Sequence, residues 1–343
     1  MLDDPKFMQI TVAVAAMVVA FVVAMLSGRV FVPMLHKLKF GQTIREIGPA
    51  WHKNKQGTPT IGGVIFITGF VAALVVAVAV SEWFLPVKPL SGASVYDRVR
   101  LIAGVVLALA CGAIGFADDY IKVVKKRNLG LTASQKMALQ LIAASGYATV
   151  MYFLGGASVI DIPFLGQVDI GWWFIPLCIF FAVGFPNATN LTDGVDGLCG
   201  SITVVASVCM AVVAAVVGSF GHTLVALVFA GAVVGFLVWN MHPAKVFMGD
   251  TGSLLIGGLL CALAFGLGQP VLLLPIGIMY IIETLSVMLQ VSYFKLTHGK
   301  RLFKMSPIHH HFEMCGWSEN KIVTVFCLVT AIVGGGSLVF LFY

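Results

Sequence analysis

Aspartates and histidines recur beside long apolar segments of this 343-residue chain. AIGFADDYIK places Asp118 and Asp119 together, FPNATNLTDGVDGL carries Asp193 and Asp196, and MGDTGS carries Asp250. PIHHHFE contains three consecutive histidines, His309, His310 and His311. Adjacent carboxylates at the edge of an apolar segment repel each other and are costly to bury, so we expect a positive partner nearby.

The residue types in these segments are typical of a site for a hard cation and a phosphate. Mg²⁺ takes oxygen ligands and commonly uses one or two carboxylates together with substrate phosphates. The turns TDGVDG and MGDTGS, and GTPTIGG at residues 57–63, supply glycines whose backbone N–H groups can approach an anion closely. The expected partner of Asp118 and Asp119 is therefore a metal ion, nearby lysines, or both.

Each motif taken alone has a simpler explanation. Paired aspartates at a membrane edge can cap a helix or face water, and a single Asp-Gly pair is most often only a turn. Three histidines can form a polar loop or a transition-metal site. A functional site is favoured only if the motifs gather on one side of a membrane, and this depends on the elements that carry them.

The composition predicts an integral membrane protein. Hydrophobic residues make up 59% of the chain and charged residues only 10%, with a mean hydropathy of +0.99. Soluble domains carry about 25% charged residues. Because the chain has no long polar stretch, we expect one membrane domain over residues 1–343. The seven cysteines lie mostly in apolar runs without a CxxC pair, and we expect neither disulfides nor zinc.

The apolar runs predict an all-α polytopic fold with about ten transmembrane helices, since a span needs about 20 apolar residues. The runs centre near residues 20, 70, 108, 144, 179, 208, 230, 260, 282 and 332. Glycines and prolines interrupt several of them, so the count is open by one. SVIDIPFLGQVDIGWW alternates apolar and polar residues around a proline and a glycine, and it predicts a small outward β-hairpin.

The basic residues indicate which loops face the cytoplasm. Seventeen of the 21 lysines and arginines lie in or beside the odd-numbered loops. Cytoplasmic loops are enriched in basic residues, so these loops are predicted inside and both termini outside. All of the motif loops then share the cytoplasmic face, where lysines would offset the acids and attract an anionic substrate.

The motifs DDYIK, NATNLTDGVDGL, NMHPAKVFMGDTGS and PIHHHFE, in this order, resemble those of the polyprenyl-phosphate N-acetylhexosamine-1-phosphate transferases. The resemblance covers nearly the whole chain. HHHFE, with KNKQGTPTIGG, is similar to one bacterial branch, the phospho-N-acetylmuramoyl-pentapeptide transferases.

This resemblance implies an enzyme of peptidoglycan synthesis in the bacterial inner membrane. UDP-N-acetylmuramoyl-pentapeptide would give its phospho-sugar to undecaprenyl phosphate, with Mg²⁺ as cofactor and lipid I and UMP as products. The implied partners are these two substrates and membrane lipids, with no nucleic acid, and a homodimer is compatible with them.

The resemblance also implies roles for the motif residues. Asp250 would bind Mg²⁺ with Asn190, Asp118 would deprotonate or orient the lipid phosphate, and Asp119 would support the metal or a lysine. Because a phosphate monoester has a second pKa of about 6, Asp118 is expected to position more than it deprotonates.

The remaining implied roles concern substrate binding. Phe247 would stack on uracil, Asp193 and Asp196 would hold the uridine end, and the three histidines would contact the diphosphate or sugar. Further substrate contacts are expected from Lys53, Thr58, Lys122, Lys136, Asn187, Asn190, Asn240 and Gln290.

Two other functions fit the same sequence features. The first is a sister transferase that uses UDP-N-acetylglucosamine, which differs in the histidine loop. The second is a nucleotide-sugar transporter, which would need ionisable residues near the middle of the membrane. Only Glu283, in ETLSVMLQ, lies within a predicted span near such a position.

Overall fold

The computed structural model describes residues 4–37, 57–125 and 129–342, and the described chain is mostly helical. The helices are α1 (Pro5–Lys37), α2 (Gly63–Phe84), α3 (Val95–Val124), α4 (Ala133–Phe153), α5 (Phe174–Thr192), α6 (Leu198–Val217), α7 (Phe220–Asn240), α8 (Gly249–Gly266), α9 (Leu273–Ile276), α10 (Ile278–Leu296), α11 (Ile308–Met314) and α12 (Glu319–Ser337).

Eight of the described helices are long and apolar enough to cross a membrane: α1, α2, α3, α5, α6, α7, α8 and α12. This finding makes the chain a multi-pass membrane protein. Residues 270–276 and α10 add a ninth span if they count as one, although they meet at a bend of 76°. Helix α4, with Gln135, Lys136 and Gln140 among its 21 residues, is too polar to join the eight. The count of ten, and the outside position of both termini, remain predictions.

Helix α8 lies at the centre of the bundle and packs along α3 and α5. Small residues allow α3 to approach it closely, as is common between membrane helices. A Cβ added at Gly104 would lie 3.1 Å from Ala262 of α8, and one at Gly112 would lie 3.0 Å from Leu255, both closer than ordinary van der Waals contact. One at Gly115 would lie 2.1 Å from the Asp250 carbonyl oxygen. Asp118 and Asp119 follow Gly115 by three and four residues, so they share its helical face.

Local sequence signals explain where helices near this end begin. Thr132 caps α4 in a complete capping box with Gln135, so Lys136 lies in the first turn of that helix. Ser318 caps α12 by accepting a hydrogen bond from the Lys321 backbone N–H. At the start of α8, Gly249 has a φ of +74°, a conformation that favours glycine.

The predicted hairpin is confirmed. Strands β1 (Val159–Ile162) and β2 (Gly166–Asp169) pair antiparallel, with Val159 opposite Asp169 and Ile162 opposite Gly166. Lys136 lies in the first turn of α4, and the hairpin follows the last turn of the same helix. The hairpin therefore lies at the opposite end of the bundle from the aspartate motifs. Its exposure to the outside of the cell remains a prediction.

Candidate active site

The two adjacent aspartates of α3 have different surroundings. Asp119 is 1% exposed, and its Oδ2 accepts hydrogen bonds from the Thr251 backbone N–H at 2.9 Å and the Thr251 hydroxyl at 2.7 Å. These donors belong to the first turn of α8, where the helix dipole favours a negative charge. Asp119 therefore connects α3 to the N-terminal end of α8.

Asp118 instead faces the chain that leads into α4. Its Oδ1 accepts a hydrogen bond from the Leu131 backbone N–H at 2.8 Å, and its Oδ2 lies 2.5 Å from Lys122 Nζ. The same ammonium lies 3.5 Å from Asp119 and 3.2 Å from Asp250. Lys122 thus provides the positive partner that the sequence predicted for the aspartate pair.

Asp250 joins three helices at this point. Its Oδ2 lies 2.8 Å from Lys136 Nζ of α4, and its Oδ1 accepts a hydrogen bond from Asn190 Nδ2 of α5 at 2.8 Å. Asn190 Nδ2 also donates to Ser253 Oγ at 2.9 Å, so the Asn190 amide oxygen remains an acceptor. Three carboxylates, two lysines and one amide therefore meet where α3, α4, α5 and α8 converge.

The donor set at this convergence fits a hard divalent cation. Asp118, Asp119 and Asp250 can each offer a carboxylate oxygen, with all three oxygens within 4.8 Å of one another. Carboxylate and amide oxygens are the ligands that Mg²⁺ prefers. Three carboxylates against Lys122 and Lys136 leave one net negative charge, which favours the binding of a cation. These residues form a site suited to a divalent cation.

Asp193, at the end of α5, lies against this cluster. Its carboxylate lies near the Gly249 backbone N–H, which favours the ionised form. Burial, with the nearby charges of Asp250 and Asp119, raises the pKa of Asp193 to about 7. The side chain can therefore exchange a proton near neutral pH.

A second polar network lies beside the first and joins three loops. Asp196 Oδ2 lies 3.1 Å from His242 Nδ1 and accepts a hydrogen bond from the Ala244 backbone N–H at 3.0 Å. Glu319, in the first turn of α12, accepts from the Asp196 backbone N–H at 3.1 Å and lies 3.5 Å from His242. Asn240 accepts from the Gly197 N–H and donates to the Val246 carbonyl, so it joins the loops after α5 and α7.

Phe247, in the loop between α7 and α8, lies beside the start of α2 rather than within the aspartate cluster. Its backbone N–H donates to the Pro59 carbonyl at 2.8 Å, and its carbonyl accepts from the Gly62 N–H at 2.8 Å. The pairing places Phe247 beside the 57–63 segment, which contains the half-buried Thr58. The phenyl ring is half-buried, and its stacking on uracil remains a prediction.

The three histidines of α11 have separate environments. His309 is fully buried, with Nδ1 3.1 Å from Glu283 Oε1. His310 Nδ1 lies 2.6 Å from Glu313 Oε2, and His311 Nδ1 accepts from the Lys304 backbone N–H at 3.2 Å. A direct contact with a diphosphate or sugar remains a prediction for all three.

Two other predicted contacts, Gln290 and Asn187, lie outside the cluster. Gln290 accepts from the Leu302 and Phe303 N–H groups and donates to the Phe303 carbonyl, so it secures the loop before α11. Asn187 donates to Gln140 and to the Val183 carbonyl. Lys53 lies outside the described residues. Substrate binding by these three residues remains a prediction.

Sequence reasoning missed three residues that the fold brings to this end: His242, Glu319 and Glu313. His242 lies inside the motif NMHPAKVFMGDTGS, but no spacing in the sequence connects it to Asp196 or Glu319. Glu313 ends the HHHFE stretch. Its position three residues after His310 on a helix could have predicted the contact between the two side chains.

Comparison with known proteins defines the class first. Residues 101–268, which contain the aspartates of α3, of the loop after α5 and of α8, match the family model of glycosyl transferase family 4.

Curated relatives then specify the branch. The chain is 46% identical to the phospho-N-acetylmuramoyl-pentapeptide-transferase of Clostridium perfringens (strain SM101 / Type A) over 96% of this chain and 95% of that protein. It is 44% identical to the protein of the same name from Listeria monocytogenes serovar 1/2a over 93% and 95%. The chain belongs to this family, the phospho-N-acetylmuramoyl-pentapeptide-transferases.

Proposed function

We propose that this protein transfers phospho-N-acetylmuramoyl-pentapeptide from UDP-N-acetylmuramoyl-pentapeptide to undecaprenyl phosphate, giving lipid I and UMP. The observation that carries the proposal is the cluster of Asp118, Asp119 and Asp250 with Lys122 and Lys136 at one end of a membrane bundle. Family membership supports the same reaction. The proposed location is the bacterial inner membrane, with the cluster on the cytoplasmic face, and the protein is compatible with a homodimer.

The reaction exchanges one phosphoanhydride for another. An oxygen of the lipid phosphate forms a bond to the phosphorus that carries the sugar, and the bond from that phosphorus to UMP breaks. Both substrates are anionic, so the site must reduce repulsion between them and stabilise charge on the transferring group. Lys122 and Lys136 are the described cations closest to Asp250 and are positioned to do both.

Asp118 is the group in the cluster that can orient the acceptor. It borders the segment that leads into α4, whereas Asp119 is enclosed by Thr251 of α8. Because the lipid phosphate is mostly dianionic near neutral pH, Asp118 acts through Lys122 and the cation site rather than by removing a proton.

Mg²⁺ is the proposed cofactor, held by Asp250 with Asn190 and supported by Asp118 and Asp119. When bound, it would neutralise negative charge on the donor diphosphate. Lys122 and Lys136 hold the carboxylates in place, and Asn190 fixes the orientation of Asp250 through its amide.

The donor's nucleotide is proposed to lie across the loops that follow α5 and α7. Asp193, Asp196 and Asn240 come from these loops, and Phe247 borders them beside the start of α2. The donor would reach the cluster from this side, because Asp193 lies near Gly249 and Asp250 at the start of α8.

Release of UMP from purified protein tests the proposal. With UDP-N-acetylmuramoyl-pentapeptide, undecaprenyl phosphate and Mg²⁺, we expect UMP and a lipid-linked product, and chelation of the metal should abolish both. Asp250→Asn should lower turnover about 100-fold or more, since it removes a charged group from the reacting centre. Asp169→Asn, in the distant hairpin, is the matched control and should behave as wild type.

The same assay separates the alternatives. Turnover with UDP-N-acetylglucosamine in place of the muramoyl donor would identify the sister transferase. Uptake of nucleotide sugar into sealed vesicles without lipid product would instead support a transporter. Near-normal turnover of Asp250→Asn at ordinary Mg²⁺ would remove Asp250 from the site.

A further inference from the structure

Glu283 and His309 form a buried polar pair, and Glu283 has no part in the reaction proposed above. Both residues are 0% exposed, and Glu283 Oε1 lies 3.1 Å from His309 Nδ1. An ionised carboxylate can only accept, so the imidazole donates through Nδ1 and its Nε2 is left for another partner.

The location of this pair brings α11 deep into the bundle. Glu283 precedes the end of α10 at Leu296 by 13 residues, a distance of about 20 Å along a helix. Helix α11 therefore folds back beside α10 to place His309 against Glu283. The buried imidazole of His309 needs a polar partner at this depth, and Glu283 supplies it.

The second ring nitrogen of His309 points at the loop that follows α5. A Cβ built on Gly194 would lie 2.2 Å from His309 Nε2, so the imidazole touches the backbone of that glycine. Neither His309 Nε2 nor Glu283 Oε2 has a hydrogen-bond partner within the described parts of the chain. Unpaired buried polar atoms are rare and costly, so stability alone does not account for the pair.

Gly194 belongs to the short loop 193–197, which has independent constraints on its other side. Asn240 accepts from the Gly197 N–H, and Glu319 accepts from the Asp196 N–H. Asp193 lies near the Gly249 backbone N–H. His309 contacts Gly194 of this loop from the side of α10.

We propose that Glu283 is a positioning residue: by holding His309 against Gly194, it fixes the 193–197 loop in the shape that receives the nucleotide of the donor substrate. This inference rests on the proposed function, in which Asp193 and Asp196 of that loop contact the donor. Glu283 affects donor binding through His309 and the loop, without touching substrate.

Two substitutions of similar volume separate the hydrogen bond from simple packing. Glu283→Leu cannot accept the His309 N–H, whereas Glu283→Gln can accept it through its amide oxygen. We expect Glu283→Leu to raise the KM for the nucleotide donor about tenfold, the effect typical of losing a carboxylate that orients a histidine. Glu283→Gln should lie between Leu and wild type, and the KM for undecaprenyl phosphate should be unchanged in both variants.

This split of KM values distinguishes positioning from a loss of folded protein. A structural defect reduces the active fraction, which lowers the apparent kcat but leaves both KM values unchanged. Met288→Leu, an exposed position on the same helix, is the control and should match wild type.

Gly194→Ala tests the same contact from the loop side, and it applies even if Glu283→Leu does not fold. The added methyl group collides with His309, so the donor KM should rise, and combining it with Glu283→Gln should raise it less than additively. An unchanged donor KM in Gly194→Ala and in Glu283→Gln, or an equal rise in donor and lipid KM, would overturn the inference.

Direct binding of UDP, measured by calorimetry on each variant, separates this inference from the reaction. If wild type binds UDP but releases no UMP, the proposed function fails, and the affinities of the variants still decide the role of Glu283. If wild type does not bind UDP, the 193–197 loop is not a nucleotide site and the inference fails with it.

Discussion

Asp118 and Asp119 are adjacent on α3 yet contact different partners, because consecutive residues of a helix point about 100° apart. Asp119 bonds to Thr251 and joins two helices, while Asp118 faces Lys122 and the segment leading into α4.

Substitution should separate these roles. Asp119→Ala should lower the melting temperature, because it leaves two Thr251 donors without an acceptor at about 1–3 kcal/mol each. Asp118→Asn should remain folded and bind UDP, but lose most turnover. If Asp118 positions rather than deprotonates, raising the pH will not restore turnover. Thermal scanning and UMP release measure the two effects, and wild-type behaviour of both variants would reduce the pair to a helix cap.

Asp193 gives the free protein a pH dependence of its own. Its pKa of about 7 in the folded chain lies above the ordinary value near 3.9, so the native state holds a proton that the unfolded state releases between these values. Its contribution to stability is therefore greatest at low pH and is lost as the pH rises towards 7.

Asp193→Asn removes this titration. In EDTA, where no cation neutralises Asp250 and Asp119, the melting temperature of wild type should fall more between pH 5 and pH 8 than that of the variant. Melting curves at the two pH values measure the difference. Equal falls in both proteins would show that Asp193 does not titrate in this range.

At the scale of elements, the site depends on how closely α3 approaches α8. Gly115 touches the Asp250 carbonyl, and the carboxylates that follow it on the same helical face then meet the start of α8. Gly249, with its positive φ, allows α8 to begin at that point: a Cβ there would lie 2.6 Å from Asp119 Oδ2.

Gly115→Ala should therefore separate the two helices and disperse the cluster. The added methyl group would lie 2.1 Å from backbone oxygen, so the helices rather than a side chain must move. We expect lower thermal stability and loss of most UMP release. Gly146→Ala is the matched control, because nothing lies within 4 Å of a Cβ there, and alanine favours a helix over glycine by about 1 kcal/mol. Normal turnover of Gly115→Ala would show that the site tolerates a wider helix spacing.

At the scale of the whole molecule, the aspartate cluster and the β-hairpin lie at opposite ends of the bundle. The distribution of basic residues predicts the cluster inside and the hairpin outside. Cys315 is an exposed thiol at the end of α11, and Leu165 is exposed at the hairpin turn, so one position reports on each side.

Labelling of intact cells with an impermeant thiol reagent tests this orientation. In a background without other cysteines, Leu165→Cys should react and Cys315 should react only after the cells are opened. The charge argument gives this result, since lysines and arginines resist translocation across the membrane. Labelling of Cys315 from outside would reverse the predicted topology.

The sequence by itself determined the class of protein, the hairpin and the motif residues of the cluster. These features depend on local properties: apolar runs of a given length, alternation around a turn, and aspartates next to glycines. The order of the motifs was enough for the family resemblance, which the curated relatives confirm. Even the positive partner of the aspartate pair was expected, since adjacent buried carboxylates require one.

Only the tertiary structure decided which of these residues contact one another. It gave Asp119 a partner, Thr251, that Asp118 does not share. It placed His309 between Glu283 and Gly194. It brought Asp196 into contact with His242 and Glu319. These contacts connect residues that are 26 to more than 100 positions apart in the sequence. Helix packing through small residues sets such distances, and no local pattern in the chain records which helices become neighbours.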